Sequence, residues 1–345
     1  MLDSNTPIPV SVSFFTGTAH DGSGDFQKSL TGNMLSKILT SPDKFSHPDE
    51  LTYEGQNTLS LTGSIRHLLK KALLSINSLS LDAPLVAITW LWFFSHIYNC
   101  YIIPAHYCIL FSVTWLAYSG DRLLDTLRTP GSIRNTPRHR FTSRHFVPLL
   151  GLWLLTATFS VCFLLMALNS TELKWGYCLL SLLALYFVSC FCFPHLARSF
   201  LPREFLVGMF FSIATHFFIV VQQPVWTPYQ FWTGFSFFAI CTLNCLAISR
   251  WEFTSDLDAR EVTFFTSNPE RLKQFHHILI VFLILQSVIS VLMMWKQQVP
   301  AFELSLLLST LLLIGLDRGN VSSRLKPVLA DLALLTPWLI LSILS

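Results

Sequence analysis

Beyond residue 83 the chain repeats one pattern: a long apolar stretch, then a short polar one. Apolar runs fall at roughly 84–103, 104–120, 146–168, 175–193, 204–221, 231–249, 276–295, 299–316 and 327–344. Each is near the ~20 residues a helix needs to cross a bilayer. The pattern predicts an all-α membrane protein with about nine transmembrane helices. Ahead of them, Ile65, Leu68, Leu69, Ala72, Leu73, Ile76 and Leu79 recur at helical spacing, flanked by Arg66, Lys70 and Lys71. A basic amphipathic helix of this kind lies in the membrane interface. Three segments result: a polar N-terminal segment over 1–62, an interfacial helix over 63–82, and the transmembrane domain over 83–345. The first is rich in Ser, Thr, Gly, Asp and Pro and is expected to be disordered. It shows neither the basic-then-apolar pattern of a signal peptide nor, being acidic, that of a transit peptide.

Composition agrees. Of the 345 residues 52% are hydrophobic and 12% charged, against about 25% charged in soluble domains. Such a chain cannot cover a globule with polar surface. A net charge of +3 is too small to imply nucleic acid. The placement of positive charge is more informative. Lys and Arg cluster before the first run, then in 122–144, at 198 and 203, in 250–273 and in 318–326. With nine spans all these loops share one side, and only Lys174 and Lys296 lie opposite. Merging the first two runs would scatter them. The positive-inside bias therefore predicts a multi-pass protein of the cell (inner) membrane, N-terminus cytoplasmic and C-terminus outside. The eight cysteines lie in or beside apolar runs without zinc spacing, and are read as small buried hydrophobes rather than disulfides.

Two carboxylate pairs carry the candidate chemistry. Asp121 and Asp125 close the second run, and Glu252 and Asp256 the sixth, each pair spaced i, i+4 so that both acids share a helix face. Two carboxylates so close repel unless a cation lies between them. Mg²⁺ suits that position: it takes a few carboxylate oxygens, keeps waters, and completes its shell with substrate phosphate. Acids at helix ends also commonly just meet solvent and headgroups, so one pair alone would say little. Two pairs four spans apart on the same side say more. Asp331 near the start of the ninth run is a lesser candidate. His216, mid-span, reads as packed or hydrogen-bonded, and Asp258, six residues from Glu252, points off that face. The sequon Asn169-Ser-Thr171 reads as chance in so short a loop.

With these motifs in place the chain resembles the UbiA-type intramembrane prenyltransferases over about residues 65–345. Asp121-Arg-Leu-Leu-Asp125 is similar to the last two acids of that family's first motif, and Glu252-xxx-Asp256 stands in place of the second. Phe193-Pro194-His-Leu-Ala-Arg198 with Val207-Gly208 resembles the family's Tyr-Pro-x-x-Lys stretch and following glycine. The Arg-rich stretch from Arg128 to Arg144 occupies the place of its basic loop. Ala117 and Tyr118 stand where the family has Asn and an acid, Glu252 replaces an Asp, and Arg198 replaces a Lys.

The resemblance implies a helical bundle with a cytoplasm-facing cavity. It implies Mg²⁺ held by Asp121, Asp125, Glu252 and Asp256 as catalytic and metal-binding residues. It also implies a polyprenyl diphosphate donor and a lipophilic or aromatic acceptor. Arg198, Arg128, Arg134 and Arg140 are the expected diphosphate ligands; by count Arg134 fits the basic loop, by local pattern Arg138 or Arg140. Two other classes remain: a non-catalytic isoprenoid- or lipid-binding relative, and a transporter.

Overall fold

A computed structural model describes residues 55–128, 136–192, 202–223, 225–259, 261–295 and 301–344, with side chains described from His67 onward. The expected disordered segment thus falls mostly outside the described residues. Among those described there is helix and no strand. The helices are α1 (Gly55–Ser78), α2 (Asp82–Ile97), α3 (Pro104–Arg128), α4 (Pro137–Arg144), α5 (Phe146–Ala167), α6 (Ser170–Cys192) and α7 (Arg203–Gln222). There follow α8 (Pro228–Trp251), α9 (Phe253–Asp258), α10 (Arg271–Trp295), α11 (Ala301–Arg318), α12 (Lys326–Leu332) and α13 (Thr336–Leu344).

Five stretches among the described residues are long and apolar enough to cross a membrane: Phe146–Ala167, Arg203–Gln222, Pro228–Trp251, Arg271–Trp295 and Lys326–Ile343. A sixth arises if His67–Ser78 and Asp82–Ile97, bent by 83°, count as one broken span. This is the pattern of a multi-pass membrane protein. On α5, almost all of it apolar, only Ser160 is buried, so lipid is the solvent its surface requires.

Local chemistry sets the breaks. The first two apolar runs are separate helices because α2 ends in a Schellman-type turn. Asn99 takes a left-handed φ of 51°, the Cys100 N–H reaches back to the Ser95 carbonyl at 2.9 Å, and Pro104 then opens α3. Ser80, with φ 58°, ends α1 in the same way, the Leu81 N–H donating to Ile76 at 3.0 Å. At Asn169 the sequon residue is a helix cap: its Oδ1 accepts from the Thr171 and Glu172 N–H groups at 3.0 and 2.9 Å, and the Glu172 carboxylate accepts from Asn169 N–H at 3.0 Å.

The core is aromatic and centred on α2. Trp90, Phe93 and Phe94 are fully buried; Trp90 lies 4.5 Å from Phe237 of α8 and 6.0 Å from Phe302 of α11, centroid to centroid. The last apolar run is broken between α12 and α13, and Trp90 Nε1–H donates to the Leu334 carbonyl freed there at 2.8 Å. Helices α7 and α8 pack closely at Gly208, where an added Cβ would lie 2.4 Å from Thr242 Oγ1 and 2.9 Å from its backbone nitrogen. His216 is buried against Phe94, centroids 4.0 Å apart, and its Nδ1 pairs with the Ser212 carbonyl at 2.9 Å, a packed histidine. The six cysteines with described side chains are free.

Candidate functional site: an acidic cavity at the helix ends

Helix α3 runs two turns past its apolar stretch, and this overhang carries Asp121, Arg122 and Asp125. Arg203, the first residue of α7, forms an ion pair with Asp121 and lies 3.7 Å from Asp125. Asp125 is buried, whereas Asp121 and Arg203 are about one-third exposed. The other pair is arranged differently from the sequence expectation. Helix α8 stops at Trp251, Glu252 occupies the turn, and Asp256 lies on the short α9. The two acids therefore do not share one continuous helix, although the Asp256 N–H still bonds the Glu252 carbonyl at 2.9 Å. Glu252 is held by Arg138 of α4.

All four acids line one cavity of about 180 Å³. Arg138 lines it too, but Arg140 does not: it is exposed on α4. Two residues are about 200° apart around a helix, so an inward Arg138 turns Arg140 outward. Arg134 and Arg198 lie outside the described residues, as does the Arg128 side chain. Asp258 is exposed and off the cavity, as its spacing implied. Asp331 lines it.

Several lining residues had no motif to announce them. Asp82, at the start of α2, is buried; it accepts from Asn77 Nδ2 at 2.5 Å and from the Ala83 N–H at 3.1 Å. Asp331 accepts from Asn244 Nδ2 of α8 at 2.7 Å. Arg122 is buried and donates to the Asn77 carbonyl at 2.5 Å. Burial pulls the Arg122 guanidinium below its ordinary pKa and Arg138 adds to this, while Asp82, Asp331 and Glu252 oppose the shift. Glu204 accepts from the Phe264 N–H at 3.1 Å. Asp331 was already a lesser candidate and Arg122 lies within the first motif, whereas for Asp82 and Glu204 the only sequence signal was polarity beside an apolar run.

Eight carboxyl side chains thus line the cavity (Asp82, Asp121, Asp125, Glu204, Glu252, Asp256, Glu261 and Asp331) against three guanidiniums, Arg122, Arg138 and Arg203. The excess is strongly negative, and two of the arginines are already ion-paired. This donor set fits a hard cation such as Mg²⁺, which binds through one or two carboxylates and leaves room for phosphate and water. Among the described residues no group of three or more His, Cys, Asp or Glu side chains converges to hold a metal. The protein offers pairs rather than a cage.

A second cavity, about 170 Å³ and lined by apolar side chains and Tyr177, lies between α3, α5, α6 and α7. It includes Val113, eight residues before Asp121, and Phe210, seven after Arg203, hence about 12 and 10 Å along the two helices that bring Asp121 and Arg203 together. No protein-family model, curated protein or solved structure matches the chain.

Proposed function

We propose that this chain is an integral membrane prenyltransferase resembling the UbiA type. In this reading it has nine spans, an N-terminus in the cytoplasm and a C-terminus outside, in the cell (inner) membrane. It transfers a polyprenyl group from an allylic diphosphate to a lipophilic or aromatic acceptor. The observation that carries the proposal is that Asp121, Asp125, Glu252 and Asp256, far apart in sequence, line one cavity. An anionic diphosphate would be repelled by carboxylates that outnumber the three arginines, so the cavity needs added positive charge to receive it. Asp121, Asp125, Glu252 and Asp256 are the residues that would hold Mg²⁺, which supplies that charge to the departing diphosphate. Arg203 and Arg138 keep the acids poised and compact until substrate arrives. The apolar groove along α3 and α7 suits the prenyl chain, and the α1–α2 bend of 83° suits an interfacial α1.

The test is release of diphosphate from labelled polyprenyl diphosphates by the purified full-length protein with Mg²⁺. Turnover lost in Asp121→Ala and Asp125→Ala supports the proposal; no turnover across a broad panel of donor lengths refutes it. A non-catalytic lipid-binding role is favoured by Ala117 and Tyr118 at the motif positions and by Arg203 already bridging Asp121 and Asp125. Tight donor binding that ignores Mg²⁺ would select that role.

A further inference from the structure

Away from the acidic cavity, a cleft of about 500 Å³ opens between α1 and α4. Its character is the reverse. His67, Lys70, Lys71, Ser75 and Ser78 line it together with Leu74, Leu79 and Phe141, and no acid does. We infer that this cleft binds the phosphate headgroup of an anionic phospholipid. The inference is independent of the transferase reading.

Helix period brings these residues together. Positions 67, 70, 71, 74, 75 and 78 recur at steps of one, three and four, so they form one stripe along α1. Leu68 and Leu69 fall outside that stripe and are exposed. Phe141 of α4 forms the facing wall. Arg144, three residues on, shares that face of α4 and is exposed.

Charge selects the ligand. Among the described residues no ion pair involves His67, Lys70 or Lys71, whereas Arg138 and Arg203 of the acidic cavity are matched by carboxylates. Two neighbouring ammonium groups without a counter-charge repel, and an entering phosphate relieves that repulsion.

The apolar wall selects a lipid over a soluble phosphate. The Leu79 carbonyl accepts from Trp115 Nε1–H of α3 at 2.9 Å, which ties the inner end of the cleft to the apolar stretch of α3. Helix α1 meets α2 at 83°. Where α2 crosses a bilayer, α1 therefore lies along its surface, at the level of the headgroups. Leu74, Leu79 and Phe141 then meet the apolar part of the lipid, while the lysine stems lie along them and their ammonium groups reach the phosphate.

The probes are dioleoyl phosphatidylglycerol and its zwitterionic counterpart, dioleoyl phosphatidylcholine. Native mass spectrometry of the full-length protein in detergent, with equal amounts of both, reads which lipid is retained. The expected result is a preference for phosphatidylglycerol of about tenfold or more, the scale of two lysines beside an anionic lipid. Lys70→Ala with Lys71→Ala should remove most of it. Lys273→Ala with Arg324→Ala, which takes two exposed basic residues from other loops, should leave it unchanged. Equal retention of the two lipids overturns the inference. So does a preference that survives the first double variant, or one lost as fully in the second. Displacement of phosphatidylglycerol by an equal concentration of inorganic phosphate also overturns it, since the cleft would then be a soluble-anion site. If circular dichroism shows the first variant misfolded, Phe141→Glu replaces it: an acid on the facing wall should abolish the preference, and an unchanged preference overturns the inference.

Discussion

Arg203 and Asp121, 82 positions apart in the chain, meet as an ion pair where α7 begins and α3 ends. Asp125, one turn along α3, lies 3.7 Å from the same guanidinium. One cation thus holds two carboxylates that would otherwise repel, in the place a metal ion would also favour. Removing it exposes that repulsion.

Arg203→Ala should lower stability by about 1–3 kcal/mol, the loss of a partly buried partner discounted for the one-third exposure of Arg203. Millimolar Mg²⁺ should recover part of the loss. Thermal unfolding in detergent, with and without Mg²⁺, measures both; equal unfolding temperatures for variant and wild type would show that the pair contributes nothing.

Asp121→Ala and Asp125→Ala should each reduce diphosphate release by about 10²-fold or more, the scale of losing a charge-stabilising group. Helix content by circular dichroism should stay the same, because both acids lie beyond the apolar part of α3.

Gly208→Ala should destabilise by about 1–3 kcal/mol, since its Cβ would meet Thr242 at 2.4 Å from Oγ1 and 2.9 Å from the backbone nitrogen. Adding Thr242→Ala relieves the first contact only. The double variant should therefore recover part of the unfolding temperature and not all of it.

Trp90→Phe should cost about 1–3 kcal/mol beyond the lost area, because the Leu334 carbonyl at the α12–α13 break loses its donor at 2.8 Å. Faster hydrogen exchange confined to residues around 333–338 would mark the break as the site of the damage.

A reporter fused after Ser345 tests the orientation. With nine spans and basic loops inside, alkaline phosphatase at the C-terminus should be active and a fluorescent protein dark. The opposite pattern would overturn the orientation, leaving either an even number of spans or an N-terminus outside.

Periodicity alone made the helices legible. Apolar runs near 20 residues have no stable form in lipid other than helix, because every backbone group must be bonded within its own segment. The divide between the first two runs was readable from charge, since merging them would scatter the basic loops across both sides. The i, i+4 acids announced a site because two carboxylates on one face need a cation. Their partners were not readable. Arg203 was one more charge in a basic loop, Arg138 was a candidate for the diphosphate and not the partner of Glu252, and Asp82 was not singled out at all.

Sequence by itself therefore determined what the chain is solvated by, where it is helical, and which acids were candidates, since these depend on neighbours within a few residues. The tertiary structure decided that α2 is the aromatic centre, that Glu252 sits in a turn, and that Arg138 rather than Arg140 enters the cavity. It also brought Asp82, Asp331 and Asn244 to one cavity. The physical reason is range: backbone satisfaction and helix period are local, whereas the charge balance of a cavity is summed over helices whose order in space no local pattern encodes.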